Sequence, residues 1–243
     1  MDVYEPLQIL KPVSNNIWIA DGPLIDFKGV EFPTRMTIIR LSSGGLFVHS
    51  PVALTDTLKQ QVDGLGPVEH LVSPNRIHYW WIGDWGKAYP NALKWASPGA
   101  HRAVKALEWS FDKDLSDCPE KAWRDDIDQL VVKGSRVLEE VVFFHKKSRT
   151  LILADLIENF EPRYVHSGVL RALMKLGGVL HPDGKLPIDL RLSYVGRHHC
   201  LRKALDSILA WNPEKVIIAH GRWYESNGTA ELRRAFRWVK PSH

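Results

Sequence analysis

VVFFHKKSRTLILAD, running from Val141 to Asp155, is the stretch that decides the fold. Val141 to His145 and Thr150 to Ala154 are apolar runs rich in β-branched and aromatic residues, and Lys146-Lys147-Ser148-Arg149 between them is a polar turn. The pattern predicts a hairpin in which His145 pairs near Thr150. That register sets Glu140 opposite Asp155 and leaves Asp155 at the end of a buried strand, where α/β folds commonly assemble sites.

Working outward, two more apolar strands end on polar residues. Val216 to Ala219 stops at His220-Gly221, and Val68 to Val72 stops at Ser73-Pro74-Asn75, with His78 on the loop beyond. Nearer the start, Asn16 to Ile19 and Met36 to Leu41 read as strands, interrupted by turns at Asp21-Gly22-Pro23-Leu24 and Ser42-Ser43-Gly44-Gly45. A strand from Gly45 to Ser50 leads into a helix over 52–64, where Leu54, Leu58 and Val62 recur every four residues until Gly64 stops it. Helices are also expected over Val169–Leu176, ending at Gly177-Gly178, over 198–211, and over Thr229–Val239, with a loop from Leu180 to Pro187. No repeat, low-complexity tract or linker divides the chain, so residues 1–243 read as one domain with helices outside sheets.

Composition sets the outer limits. At 44% hydrophobic and 25% charged residues, the 243-residue chain is neither disordered, collagen-like nor a coiled coil. Its two cysteines, Cys118 and Cys200, lie far apart, which fits a reducing compartment and points to the cytoplasm. Lys and Arg number 32 against 28 Asp and Glu, a near balance that does not favour nucleic acid. No run approaches the roughly 20 apolar residues that span a bilayer, so the expected partner is a small-molecule substrate or ligand and not a membrane. Neither a P-loop, a GxSxG elbow nor a Rossmann fingerprint occurs.

What stands out is an excess of histidine and tryptophan, 11 and 10 residues. Imidazole and carboxylate at strand ends together suit zinc, iron or manganese. The order LFVHSP, helix 52–64, LVSPNRIH, TLILADL and VIIAHG resembles the metallo-β-lactamase fold superfamily over nearly the whole chain. RMTIIRL, VHSP, SPNRIH, VVFFHKKSRTLILADL and AHG resemble, more narrowly, a bacterial and plant family described as metallo-β-lactamase-like. The resemblance implies an α/β fold, an αββα sandwich of metallo-β-lactamase type, and no particular activity.

It also implies a depleted site. Setting the superfamily's HxHxDH on Ser73 to His78 puts serine and asparagine at two histidine positions and Ile77 at that of the second-site aspartate, keeping only His78. No histidine lies near Gly134 to Glu139, whereas Asp155 and His220 hold the bridging-aspartate and final-histidine positions. The implied ligand set is therefore His78, Asp155 and His220, with one divalent metal or none, and with Glu139, Glu140 or a water completing the site. Asp155, Glu139 and Glu140 are the catalytic candidates. His49, at the superfamily's early turn aspartate, Ser50, Asn75 and Trp81 are expected to support the site or face substrate.

Other residues have plainer readings. His145 sits at the turn end of the hairpin, roughly 16 Å of strand from Asp155, which favours a structural role. His198 and His199 read as a solvated helix cap. Trp81 and Trp85 share a helical face, with Trp80 beside them, and core packing is preferred over an aromatic substrate wall. Arg233, Arg234, Arg237 and Lys240 around Leu232 and Phe236 make a basic amphipathic helix with a solvated face. Two functions follow: a hydrolase of an ester, thioester or phosphoester with a reduced metal site, or a metal-free binding protein or pseudo-enzyme in which Asp155 and His220 pair with each other. Nuclease chemistry is disfavoured because it needs the full ligand set.

Overall fold

The computed structural model describes residues 1–27 and 29–239. Its strands are β1 (Lys11–Ser14), β2 (Ile17–Phe27), β3 (Val30–Arg40), β4 (Leu46–His49), β5 (Val68–Ser73), β6 (Leu93–Ala96), β7 (Lys113–Asp114), β8 (Ile127–Val132), β9 (Glu140–His145), β10 (Thr150–Ile152) and β11 (Lys215–Ile217). Its helices are α1 (Asp56–Asp63), α2 (Ile82–Ala88), α3 (Ala100–Ala103), α4 (Gly168–Gly177), α5 (Ile188–Ser193), α6 (His198–Ala210) and α7 (Gly228–Ala235). β9 and β10 form the expected hairpin, with His145 opposite Thr150 and Phe143 opposite Ile152.

β1 to β7 lie in sequence order in one sheet, and β11-β10-β9-β8 make a second. Alternate side chains explain how the two stack. On β9, Val141 and Phe143 point toward Phe47, Val72 and Trp95 of the first sheet, while Val142 and Phe144 pack with Leu201 and Leu205 of α6 on the other side. Met36, Ile38, Val48 and Leu71 form the outer face of the first sheet and are covered by Leu58 and Val62 of α1 and by Ile82 and Trp85 of α2. Both faces of both sheets are buried, so the central strands read as continuous apolar runs instead of alternating ones. At the middle, Phe143 meets Phe47 edge-on at 5.1 Å, and full burial of such a side chain stabilises by roughly 1.5–3 kcal/mol. The layers are helix, sheet, sheet, helix, the αββα sandwich of the metallo-β-lactamase type.

Three boundaries differ from the sequence expectation. The turn expected at Asp21–Leu24 is instead strand, because Asp21 is buried in ion pairs with Lys11 and Arg35 and β2 continues with a register shift between Gly22 and Leu24. A Cβ at Gly22 would lie 2.5 Å from Thr34 Oγ1 and 2.7 Å from Val52 Cβ, so only glycine passes there. The first helix starts at Asp56 and not at 52, since Thr55 Oγ1 caps it by accepting from the Leu58 amide. The last helix closes at Ala235, and of its basic set Lys240 lies outside the described residues. Arg234 and Arg237 are engaged by Asp183, while Arg233 is exposed, in keeping with a solvated face.

Candidate metal centre

Asp155 is the hub. It follows β10, where the backbone amides of Ala154 and Asp155 donate to Glu140 Oε1 and Oε2 at 2.8 and 2.7 Å. Asn75, on the loop after β5, donates from Nδ2 to Asp155 Oδ2 at 2.7 Å and to Glu140 Oε2 at 3.2 Å, and its Oδ1 accepts from the Ile77 amide. That Asx-type bond shapes the turn carrying His78. His78 Nε2 lies 3.2 Å from Asp155 Oδ2 and 3.3 Å from Oδ1, and His220 Nε2 lies 3.1 Å from Oδ1. The ligand atoms of His78, Asp155 and His220 all fall within 4.8 Å of one another.

His220 is fixed from β3. Its Nδ1 lies 2.7 Å from the carbonyl of Pro33, and the Arg35 Nη1 donates to the carbonyls of Ile218 and Gly221, on either side of it. Gly221 has φ +95°, and a Cβ there would come within 2.3 Å of the Asn159 carbonyl, so the turn after His220 requires glycine. His78 is held more loosely, by Ser50 Oγ at 2.6 Å from its Nδ1.

The donor chemistry fits a cation. The Pro33 carbonyl can only accept, so His220 Nδ1 carries a proton, and its Nε2 faces the Asp155 carboxylate either as a second N–H or across a positive ion. Two imidazole nitrogens and one carboxylate oxygen with an open side are the donor set of a catalytic zinc-type site. Burial opposes charge on Asp155, but the His78 and His220 rings outweigh it and hold the carboxyl far below the ordinary range. Burial likewise lowers His220, yet its bond to Asp155 and the charges of Asp155 and Glu158 raise it overall.

The structure thus brings His78, Asp155, His220, Asn75 and Ser50 together. Glu140 is adjacent, but both its oxygens are turned onto backbone amides and Asn75, so it positions Asp155 and is not free to act on substrate. Glu139 accepts from the Gly134 amide through Oε1 at 3.3 Å. His49 is buried against Phe143 with its Nε2 unpartnered, and burial together with His78 lowers it to about 3, so it is neutral near pH 7. His145 bonds Ser148 at the hairpin turn, and His198 and His199 are exposed on α6.

A cavity of about 370 Å³ opens over Asp155, between the β2–β3 hairpin (Ile25, Phe32) and Trp81, Leu138 and Leu190. The tryptophans divide: Trp85 is core and donates to the Val52 carbonyl, whereas Trp80 and Trp81 line the cavity. Sequence reading missed Glu158, half-buried on the cavity wall, whose carboxyl is pushed up to about 8 by burial. An acid inside the apolar run Leu156-Ile157-Glu158 was the available signal. It also missed Pro33 and Arg35, whose roles follow only from the pairing of distant strands.

A family model described as a domain of unknown function (DUF4336) matches residues 14–171. No curated protein matches the chain. Among solved structures, the DIM-1 metallo-β-lactamase exposed to ceftazidime is similar at TM-score 0.63 and 15% identity, covering 96% of this chain and 97% of that one. A metallo-β-lactamase from Pontibacter korlensis is similar at TM-score 0.62 and 11% identity, over 96% and 99%. FIM-1 from Pseudomonas aeruginosa, in its mono-zinc form, is similar at TM-score 0.60 and 11% identity, over 96% of each chain. At these identities the likeness is one of fold.

Proposed function

The chain belongs to the DUF4336 family, a domain of unknown function, and from that premise we propose that it is a hydrolase of metallo-β-lactamase fold with a one-ion centre at His78, Asp155 and His220. The observation that carries this reading is the placement of two imidazole Nε2 atoms around one carboxylate beneath an open cavity. A divalent ion bound there (zinc, iron or manganese) would supply Lewis acidity and lower the pKa of a water in its open position.

The chain's own groups do the rest. Asn75 occupies Asp155 Oδ2 at 2.7 Å, which orients the carboxylate, and Pro33 fixes the proton of His220 on Nδ1. Glu158 lines the same cavity, and burial pushes its carboxyl up, which suits it to donate a proton to a leaving group, whereas the Glu140 oxygens are taken by backbone amides and Asn75. The apolar cavity walls favour an ester, thioester or phosphoester with an aliphatic or aromatic body. Both cysteines are free, which fits the cytoplasmic setting we expect. We read residues 1–243 as one domain.

Elemental analysis of protein purified without added metal tests the proposal. One ion per chain, lost in Asp155→Ala and His220→Ala, together with turnover of p-nitrophenyl esters or phosphoesters, is the expected result. Less than about 0.1 ion per chain in the parent protein overturns it. That outcome would favour the second reading, a metal-free binding protein, which rests on the fact that Asp155 already has Asn75, His78 and His220 as partners.

A further inference from the structure

α4 is oriented unlike an ordinary surface helix. Of its ten residues, GVLRALMKLG, only Met174 is buried, while Val169, Leu173 and Leu176 are 74%, 59% and 77% exposed. Their i, i+4, i+7 spacing makes them one outward apolar ridge. On α5, Ile188 and Leu192, one turn apart, are 49% and 62% exposed, and Val195, in the turn just beyond the helix, is 51% exposed. The two helices adjoin, since Arg191 of α5 donates to the Gly177 carbonyl at the end of α4. Among the described residues, these two ridges supply six of the ten exposed large apolar side chains.

Charge is concentrated in the same segment. Residues 163–203 contain eight Lys or Arg and two Asp or Glu, a net of +6, whereas the whole chain nets only +4. The remainder is slightly acidic. Arg171 and Lys175, one helical turn apart on the flank of the α4 ridge, line a groove of about 680 Å³ together with His181 and Lys185. Burial lowers both His181 and Lys185, and neighbouring arginines lower them further, as expected where positive potential accumulates.

We propose that the α4–α5 face docks on an anionic lipid bilayer, the two aliphatic ridges entering the interface and the Arg171–Lys175–Lys185 groove receiving phosphate headgroups. Apolar ridges flanked by cations are the pattern of surface-lying helices. Such docking needs no spanning segment, and among the described residues no helix is long and apolar enough to cross a membrane. A second copy of the chain is a poorer occupant, because isologous pairing would set this cationic face against itself. The ridge also stands on a helix with one buried side chain and fits a fluid phase better than a shaped protein pocket. Pro187 and Leu190 line the cavity over Asp155 and bracket the exposed Ile188 in sequence, so the face adjoins that cavity's rim.

Co-sedimentation of the full chain with vesicles tests this independently of any hydrolase activity. Vesicles of phosphatidylcholine with about a quarter phosphatidylserine should bind the protein, pure phosphatidylcholine should not, and added salt should weaken binding. Arg171→Gln and Lys175→Gln should each weaken it roughly fivefold. Leu173→Asp with Leu176→Asp should abolish it while far-UV circular dichroism and Tm stay unchanged, as both side chains are exposed. Absence of vesicle binding overturns the proposal, whether the protein binds polyglutamate or forms a dimer that Leu173→Asp dissolves. So does binding that is equal on both vesicle types, or that survives the double aspartate variant.

Discussion

His220 and His78 bring ring nitrogens to the same carboxylate, their rings 5.3 Å apart, and they are held in different ways. The His220 side is built from β3: an acceptor-only carbonyl at Pro33 dictates which ring nitrogen carries the proton, and the Arg35 guanidinium clamps the backbone before and after the ring. The His78 side relies on Ser50 Oγ, a hydroxyl that can donate or accept, so either tautomer of His78 is satisfied. One partner of Asp155 is locked in geometry and protonation, while the other can adapt.

The largest effect is expected from breaking the locked side. Arg35 is 4% exposed, donates to two carbonyls and pairs with Asp21, which would keep only Lys11 as a partner. Arg35→Met should therefore cost about 3–5 kcal/mol in urea unfolding, the usual range when one member of a buried pair is removed. It should also abolish ion uptake even where the protein still folds. A variant that unfolds within about 1 kcal/mol of the parent would mean that Pro33 alone fixes His220.

Glu140 sharpens the comparison from the hub that both sides share. Burial, and then the Asp155 charge, push its carboxyl up to about 7. The folded chain thus keeps a proton that the unfolded chain releases near 4.3. The stability contributed by Glu140 is complete below that value and declines as pH rises toward about 7. In Glu140→Gln this decline should flatten. The amide nitrogen cannot accept from a backbone N–H, so a further loss of about 1–3 kcal/mol is expected at every pH. Urea midpoints measured from pH 4 to 8 separate the two effects. An unchanged slope would show that Glu140 is ionised in the folded protein throughout.

The sandwich was legible in the sequence because both sheets are covered and their strands stand out as apolar runs that end on Asp155, His220 and the Ser73–Asn75 turn. The β9–β10 register followed from a four-residue polar turn, a short-range signal. The pairing of β2 with β3 was not legible at Asp21-Gly22-Pro23-Leu24, where turn-type residues are held in a strand by ion pairs to Lys11 and Arg35. Within the site, His78, Asp155 and His220 were singled out by the order of strand ends and its resemblance to the metallo-β-lactamase superfamily, not by residue type alone, and the fold brings their ligand atoms within 4.8 Å of one another. The β9–β10 ladder ends at Phe143 and Ile152, so Glu140 is not paired across from Asp155 but reaches it through a carboxylate that accepts from the Ala154 and Asp155 amides, bonds that no sequence pattern displays. Pro33 and Arg35 act through the pairing of distant strands, which nothing local marked, whereas Glu158 had a local signal, an acid inside an apolar run, that was passed over.

The smallest effect tests the adaptable side. Ser50 has φ +51°, the left-handed region, and its amide donates to the Val72 carbonyl, so the backbone strain is locked in by sheet pairing. Ser50→Ala keeps that strain and removes the hydroxyl from His78, which should cost about 0.5–1.5 kcal/mol. Ser50→Gly removes the same hydroxyl but is at ease in this conformation, and should recover roughly 1 kcal/mol of the loss. If the hydroxyl orients His78 for an ion, both variants should weaken ion affinity alike, by about 10–100-fold, despite their different stabilities. Competition with a chromophoric chelator reads the affinity, and urea unfolding reads the stability. Ion affinity that follows stability, with glycine binding better than alanine, would mean that backbone strain and not the hydroxyl sets His78, and the two sides of Asp155 would then differ in rigidity alone.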